Sequence, residues 1–238
     1  MIIILAAEPG LGKSYQSMQF SEEIKMLDLE NRNEEKRRRF FDDRLLEVIP
    51  VKEYTPEYLD DYYKSFLGLG KSINQLVKNH DNISTIIVDG ISDIRNKYTK
   101  AKWHIEHPKR KNPMPTEYKD INDDTKILLT PLINLCRIKH IDLVLTAQMK
   151  DDYETTFIES EGKLVKQSSK CGRVASTQDW IDYDVDIIVE LKHPVKNGIE
   201  NLNKWIAYCV KSPIGSWEID ITGKCLYDEL LGMGLGDL

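Results

Sequence analysis

The chain opens with Met1-Ile2-Ile3-Ile4-Leu5-Ala6-Ala7 and continues directly into Glu8-Pro9-Gly10-Leu11-Gly12-Lys13-Ser14. An apolar run followed by a Gly-rich turn that ends in Gly-Lys-Ser is the sequence form of a phosphate-binding P-loop. Glycines let backbone N–H groups approach phosphate oxygens, and the helix that begins near Lys13 adds its positive dipole end. Ala7 stands where the usual pattern has its first glycine, and a small residue still suits the end of a strand. The sequence therefore predicts a nucleotide-binding site in this segment.

The predicted ligands of this site follow from the chemistry of P-loop side chains. Lys13 can reach the β- and γ-phosphates, and the Ser14 hydroxyl can ligate Mg²⁺. We therefore predict ATP and Mg²⁺ as ligands, with Lys13 as a catalytic residue and Ser14 as a metal ligand. The residues predicted to bind nucleotide are Glu8, Pro9, Gly10, Leu11, Gly12, Lys13, Ser14 and Tyr15.

Length and composition narrow the class of protein. A chain of 238 residues is long enough for one α/β domain with a sizeable core. No apolar run approaches the roughly 20 residues that span a bilayer, which predicts no membrane partner. The four cysteines, which form no Cys-x-x-Cys pair, are typical of free thiols in a reducing, cytoplasmic compartment. Because the net charge is −6, any contact with a polyanion must come from a local basic surface.

The hydrophobic pattern predicts a single α/β domain over residues 1–238, with a mostly parallel sheet flanked by helices and antiparallel strands at its C-terminal edge. Helices are predicted at about 13–25, 58–79 and 125–140, with an exposed charged helix inside 31–47. Strands are predicted at 24–29, 46–51, 84–89, 141–146, 186–191, 205–210 and 217–221. Gly68 and Gly70 are expected to weaken the middle of the helix at 58–79. The other predicted segments are a basic insertion at about 97–119, a mobile loop with one hairpin at about 149–179, and a short, frayed tail at about 228–238.

Three polar residues follow predicted strands and suggest a catalytic site. Asp89 ends the run Thr85–Val88, and we predict that it holds Mg²⁺ and that its strand lies beside the P-loop strand. Glu30 follows the strand at 24–29, and it either polarises an attacking water or is a simple loop carboxylate. Gln148 either contacts the γ-phosphate and reports hydrolysis to the following loop, or it is a satisfied amide at a strand end.

Four short motifs, taken in order, resemble those of the RecA-like ATPase core: Gly10–Ser14, Leu27–Glu30, Ile86–Asp89 and Leu145–Gln148. The compact arrangement is most similar to small phage and archaeal-virus RecA-like ATPases, a group that includes single-strand annealing and recombination proteins. The resemblance covers about residues 1–215. It implies a RecA-like P-loop NTPase fold and ATP hydrolysis, with Glu30 activating water and Gln148 sensing the γ-phosphate.

The resemblance also implies an assembly. The residues after Gln148 match the DNA-binding loop that changes state with the nucleotide. Lys211 resembles a strand-end lysine that reaches across a subunit interface to a neighbour's nucleotide, and the alternative is an ordinary exposed lysine. The family's active site is completed between subunits, so a homo-oligomer, either a ring or a filament, is expected.

Two segments are predicted to bind single-stranded DNA. In residues 97–119, cations alternate with Tyr98, Trp103 and Tyr118, so that cations could track phosphates while aromatic rings stack on unpaired bases. The alternative is a solvated basic loop with Trp103 packed beneath it. In residues 150–176, only the part from Lys163 to Arg173 is basic. The candidate DNA-binding residues are Lys100, Lys102, Trp103, Lys109, Arg110, Lys111, Lys163, Lys166, Lys170 and Arg173.

These features predict a Mg²⁺–ATP-dependent ATPase that binds single-stranded DNA and supports recombination, annealing or replication. We expect a phage- or virus-encoded protein in a prokaryotic host, with a single-strand-binding protein or a helicase as a further partner. The alternative is a nucleotide-switched adaptor or loader ATPase that acts on a protein partner, in helicase loading or DNA packaging. A small-molecule kinase is disfavoured by the lack of an obvious Arg-rich lid and by the strand that ends in Gln148.

Overall fold

The structure of the protein is a computed structural model. The helices are Lys13–Ser17 (α1), Asn33–Phe40 (α2), Leu59–Lys78 (α3), Ile91–Asp93 (α4), Lys100–Glu106 (α5), Tyr118–Lys139 (α6), Asp179–Asp184 (α7) and Leu226–Gly232 (α8). The strands are Ile2–Ala7 (β1), Glu23–Asp28 (β2), Leu45–Pro50 (β3), Thr85–Asp89 (β4), Asp142–Ser160 (β5), Lys163–Ala175 (β6), Ile187–Lys192 (β7), Val195–Lys196 (β8), Ile199–Glu200 (β9), Ile206–Lys211 (β10) and Trp217–Asp220 (β11). The residues described are 1–21, 23–29, 32–41, 45–50, 59–79, 81–94, 100–110, 113–114, 116–160, 163–177, 179–196 and 199–236.

One large sheet organises the described part of the chain. Its strand order is β11-β10-β7-β1-β5-β4-β2-β3, and β6 pairs with the extension of β5. The strands from β7 to β3 run parallel, while β10 and β11 are antiparallel at one edge, which confirms the predicted mixed sheet. The prediction that the Asp89 strand lies beside the P-loop strand is wrong, because β5 pairs with both β1 and β4 and separates them.

The central strand β1 is buried on both faces, which explains its unbroken apolar sequence. Successive side chains of a strand point to opposite faces. Ile2 and Ile4 belong to a core cluster with apolar residues of α3 and α6, and Ile3 and Leu5 belong to a second cluster with those of α8. Two helical layers therefore cover the sheet, and the carboxyl ends of the parallel strands all meet at one edge.

The helix predicted at 13–25 is wrong beyond Ser17, where α1 ends. The Gln16 side chain accepts a hydrogen bond from the backbone N–H of Leu226 at 3.0 Å and donates to the Lys224 carbonyl at 3.3 Å. These contacts tie the end of α1 to the segment that leads into α8. The chain then turns, which buries Met18 and Phe20 in the core before β2 begins.

The segment predicted as a mobile loop with one hairpin at 149–179 is mostly a long antiparallel hairpin, made by β6 and the second half of β5. Pairing runs from Met149 opposite Ala175 to Ser160 opposite Lys163, with an irregularity between Asp152 and Tyr153. The apolar strand that enters the sheet at Asp142 therefore continues beyond Gln148 as a polar arm. Its sequence lacks the apolar alternation of a half-buried strand, which is why it was predicted as a loop.

Three other predictions change. α3 is continuous through Gly68 and Gly70, and Gly70 faces α6, since a Cβ there would make an ordinary contact with Leu128 Cδ1 at 3.5 Å. The basic insertion contains α5, and α6 begins at Tyr118 and runs through Pro131. The predicted frayed tail includes most of α8, and Leu230 and Leu235 are buried against the sheet.

Candidate nucleotide-binding site

The P-loop joins β1 to α1 and has the backbone conformation that its glycines permit. Gly10 and Gly12 have φ values of 84° and 78°, in the left-handed region that side chains rarely adopt. A Cβ at Gly12 would also lie 3.4 Å from the Trp205 ring. The Lys13 ammonium donates to the carbonyl oxygens of Ala7 at 2.9 Å and Glu8 at 3.1 Å. The lysine therefore folds back over the loop, where its charge faces any bound phosphate.

The Asp89 carboxylate lies next to the P-loop serine although its strand is two positions away from β1. The Ser14 hydroxyl donates to it at 3.0–3.1 Å. Thr146, which lies opposite Asp89 in the β4–β5 register, donates its hydroxyl to the same carboxylate and accepts from the Gly90 N–H at 2.8 Å. Carboxylate and hydroxyl oxygens are the ligands that Mg²⁺ prefers. The donor set at Ser14 and Asp89 therefore fits the predicted Mg²⁺ ion.

A buried network behind Asp89 was missed by sequence reasoning. Asn33, at the start of α2, donates its amide N–H to Asp89 at 2.6 Å and to Asp28 at 2.8 Å, and its backbone N–H donates to Asp28 at 2.8 Å. The three side chains are at most 3% exposed. Asp28 and Asp89 are directly opposite in the β2–β4 register. The signal in the sequence was that Asp28 ends an apolar strand just as Asp89 does.

Gln148 lies beside the P-loop, and its predicted contact with the γ-phosphate stays a prediction. It is opposite Ala7 in the β1–β5 register and lines the same cavity as Lys13 and Asp89. Its backbone N–H donates to the Ser92 hydroxyl at 3.0 Å, and its carbonyl accepts from Ser176 N–H at 2.6 Å. Ser92 in turn donates to the Ser176 carbonyl at 2.9 Å. These hydrogen bonds join the Gln148 backbone, beside the P-loop, to Ser176 at the base of the hairpin.

A cavity of about 650 Å³ connects these residues, a volume typical of a site for a small molecule. It holds the predicted Lys13, Ser14, Asp89 and Gln148 together at the carboxyl ends of the strands. The cavity is lined by Pro9, Gly10, Gly12, Lys13, Ser14, Tyr15, Arg32, Lys36, Asp89, Gly90, Asp93, Thr146, Ala147 and Gln148. Arg32 and Lys36 of the α2 segment were not among the predicted site residues.

A comparison with protein-family models assigns the sequence to a known family. The sequence model of a protein family described as AAA domain matches residues 1–213. This range includes the whole P-loop and the strands around it. The chain belongs to the AAA domain family. This membership supports an ATP-binding domain that hydrolyses ATP and uses Mg²⁺. No curated protein of similar sequence was found. Within the described residues, no helix is long and apolar enough to cross a bilayer.

Three other residues predicted to bind nucleotide in this AAA domain, Leu11, Glu8 and Lys211, are not among the described residues that line the cavity. Leu11 packs against the core cluster that contains Ile3 and Leu5. Glu8 forms an ion pair with Arg173, which lies near the end of β6. Lys211 donates to the carbonyl oxygens of Asp182 and Val185 at 2.6 Å, at the end of α7. It is held within its own chain, and its action on a neighbouring subunit stays a prediction. Glu30 lies outside the described residues.

The basic insertion of this AAA domain differs from the DNA-binding surface that was predicted. Trp103 is 3% exposed and packs against His104 and His107, so its ring is unavailable for base stacking and this part of the prediction is corrected. Lys102 lies 2.6 Å from the Asp124 carboxylate, and Arg110 pairs with Glu117. Charge that is balanced inside the protein contributes little to DNA attraction. Lys100 begins α5, Lys109 is exposed, and Lys111 lies outside the described residues.

The hairpin carries the remaining candidates. Lys163 and Lys166 lie on β6 near its distal end. Lys170 pairs with Asp151 at 2.7 Å, and Arg173 lies between Asp151 and Glu8. The proximal cations of the hairpin are therefore bound to acids near the P-loop, whereas the predicted DNA contact of the distal lysines is still a prediction.

Proposed function

We propose that this protein is a RecA-like, Mg²⁺–ATP-dependent ATPase that binds single-stranded DNA and supports recombination, annealing or replication of a phage or related mobile element. The observation that carries the proposal is the meeting of Lys13, Ser14, Asp89 and Gln148 around one cavity at the carboxyl ends of parallel strands. Ligands of open α/β sheets collect at this edge. The hairpin that follows Gln148 directly gives the site a means of acting on a polymer.

The roles of the chain's residues follow from their positions. Lys13 neutralises charge on the β- and γ-phosphates, and the P-loop N–H groups hold the phosphate oxygens. Ser14 and Asp89 would hold Mg²⁺, which when bound neutralises developing charge on the phosphate oxygens. Gln148 orients the γ-phosphate or its water, and its carbonyl bond to Ser176 passes the change to the base of the hairpin. Glu30 lies outside the described residues, and its proposed role, to orient and polarise the attacking water, rests on the resemblance to RecA-like ATPases.

Replacing Glu30 by glutamine separates binding from turnover. Glu30→Gln is expected to leave ATP affinity within about threefold and to lower kcat about 100-fold, because general-base assistance contributes a factor of roughly 10²–10⁴. Calorimetric ATP binding and steady-state phosphate release measure the two quantities. Glu47→Gln, a change of the same type on the neighbouring strand β3, is the control. Turnover of Glu30→Gln at the wild-type rate would remove Glu30 from the mechanism.

The DNA part of the proposal is tested by hydrolysis rates with and without single-stranded DNA. We expect stimulation that weakens with salt, because cations that bind phosphates release counterions. Each lysine that contacts a phosphate of single-stranded DNA contributes roughly 0.7 to the magnitude of the slope of log K against log salt concentration. The double variant Lys163→Gln/Lys166→Gln should therefore lower that magnitude by about 1.4. Lys78→Gln/Lys139→Gln removes two charges from helix ends that lead into β4 and β5, at the opposite edge of the sheet. That control should leave the slope unchanged.

The second candidate function is an adaptor or loader ATPase that acts on a protein partner. The pairing of Lys102 with Asp124 and of Arg110 with Glu117 favours it, since these cations have protein partners already. Its expected partner is a helicase or a packaging component. Hydrolysis that responds to such a protein but not to DNA, with no salt-sensitive DNA binding, would replace the first proposal with this one.

We also propose that the protein forms a homo-oligomer, a ring or a filament, in which Lys211 approaches the nucleotide of a neighbour. In this structure Lys211 holds the end of α7, so the role requires that it leave the Asp182 and Val185 carbonyls. Particle imaging with a non-hydrolysable ATP analogue tests the assembly. A monomer under those conditions would exclude a role of Lys211 in trans.

A further inference from the structure

Helix α2 and the residue just before it place two cations on the nucleotide cavity and an aromatic ring next to it. Arg32 is the N-cap residue, and Lys36 and Phe40 follow it inside the helix at intervals of four residues, a spacing that puts Lys36 and Phe40 on the same helix face. Arg32 and Lys36 line the cavity. The Phe40 ring packs edge-on against Tyr15, with a centroid distance of 5.7 Å, and Tyr15 also lines the cavity directly after Ser14. In this row of three residues, Arg32 and Lys36 therefore line the cavity, whereas Phe40 supports Tyr15, which lines it.

The Lys36 end of this row lies close to the phosphate end of the cavity. The Lys36 ammonium donates to the Asn33 amide oxygen at 2.8 Å, and the Asn33 amide N–H donates to Asp89 at 2.6 Å. Asp89 accepts from Ser14, the P-loop serine. Three consecutive hydrogen bonds thus fix the position of Lys36 relative to the residues that would hold Mg²⁺. A cation at this place faces the outer phosphates of a bound nucleotide.

The neighbouring cations of α2 are used differently. Arg37 and Arg38 both contact the Glu34 carboxylate at 3.0 Å, and the pKa of Glu34 is lowered, chiefly by its hydrogen bond with Arg37. Arg39 lies over the Phe40 ring, 5.1 Å from its centroid. These arginines form a surface helix, as their sequence context predicts. Arg32 and Lys36 differ from Arg37 and Arg38 because they line the cavity.

The aromatic end of the row is exposed in a way that suits a ligand. Tyr15 is 42% and Phe40 52% exposed, although each packs against another ring. Phe41, the residue next to Phe40, is 4% exposed and holds Tyr15 from the other side, with a centroid distance of 5.3 Å. Tyr15 is thus oriented by a buried ring and presents its remaining surface at the cavity, and a heterocyclic base has an apolar face that can pack against such a surface.

We propose that α2 forms the second wall of the nucleotide site, in which Arg32 and Lys36 bind the outer phosphates and Tyr15, held in place by Phe40, contacts the face of the base. This inference rests on the proposed nucleotide-binding function. It adds to that function the residues that would bind the phosphate charges and contact the base of the nucleotide. Lys13 and the P-loop hold the phosphates from one side, and α2 closes them from the other. The site would then favour nucleoside triphosphates over inorganic triphosphate.

Calorimetric binding of three probes, ATP, ADP and inorganic tripolyphosphate, tests the two ends of the row separately. Phe40→Ala is expected to weaken the binding of ATP and of ADP about tenfold, because both carry a base, and to leave the binding of tripolyphosphate, which has none, unchanged. Lys36→Gln is expected to weaken ATP and tripolyphosphate about tenfold and ADP less, because ADP lacks the outer phosphate. Arg38→Gln, which is 71% exposed and pairs with Glu34, should bind all three as the wild type does.

The outcomes distinguish this inference from the function on which it rests. A wild-type protein that does not bind ATP would overturn the proposed function, and this wall with it. If the wild-type protein binds ATP but the Phe40→Ala and Lys36→Gln variants bind all three probes with wild-type affinity, the proposed role of α2 is wrong. The proposed nucleotide-binding function would then still stand. Thermal melting of each variant checks folding, and Tyr15→Phe, which keeps the ring, should retain the preference for ATP.

Discussion

Lys13→Ala is expected to lower kcat/KM for ATP hydrolysis about 1000-fold. The Lys13 ammonium lies within 2.9 Å and 3.1 Å of two P-loop carbonyl oxygens, so its charge is held at the loop before any nucleotide binds. A preorganised charge that faces the transferring phosphoryl group acts where negative charge develops, and removal of one such group typically costs a factor of about 10²–10³. The loss of ATP affinity adds to this cost, since the same ammonium binds the ground-state phosphates.

The test measures phosphate release and ATP binding in the same preparation. Lys204→Ala is a matched control, because Lys204 lies 3.7 Å from Asp220 in a surface ion pair, and such pairs contribute about 0–1 kcal/mol. Both variants should melt within a few degrees of the wild type, since neither buries a new polar group. If Lys13→Ala hydrolysed ATP within threefold of the wild-type rate, the P-loop could not be the catalytic site.

The fold was predictable where local sequence and tertiary packing agree. β1 and β4 are continuous apolar runs because they are covered on both faces, and their short length and β-branched residues favour a strand over a buried helix. The predictions failed where distant residues decide. α1 ends at Ser17, where Gln16 bonds to Lys224 and Leu226, and no local signal in the sequence marks these distant contacts. Gly68 and Gly70 are tolerated inside α3, where Gly70 meets a leucine of α6.

The residues of the site also divide into those that the sequence reveals and those that only tertiary packing reveals. Lys13, Ser14, Asp89 and Gln148 are recognisable because each follows a strand or belongs to a motif with its own chemistry. Asn33 is not, because its role depends on the pairing of β2 with β4, which brings Asp28 and Asp89 together. Strand order cannot be derived from separate motifs, and for this reason β5 was not expected between β1 and β4. Trp103 and the cations near it had a suitable composition, yet burial and ion pairs, which composition does not reveal, change their availability.

Asp89→Asn is expected to remove the Mg²⁺ dependence of ATP binding and to lower kcat about 1000-fold. The carboxylate receives hydrogen bonds from Ser14, Asn33 and Thr146, so it is fixed in one orientation at 3% exposure. An amide has the same shape but no charge, and a hard divalent cation binds it far more weakly. ATP binding without Mg²⁺ should persist, because Lys13 and the P-loop N–H groups are unchanged.

Folding stability should change little in this variant, and that distinguishes loss of the metal from loss of structure. Asparagine accepts fewer hydrogen bonds, which costs about 1 kcal/mol, but the change also removes one of two buried carboxylates that share the Asn33 amide. These effects oppose each other, so the free energy of unfolding without Mg²⁺ should stay within about 1 kcal/mol of the wild type. Asp81→Asn, in the turn before β4 at the other end of the same strand, is the matched control. Wild-type Mg²⁺ dependence in Asp89→Asn would show that the ion is held elsewhere, and the assignment of Ser14 and Asp89 as its ligands would then fail.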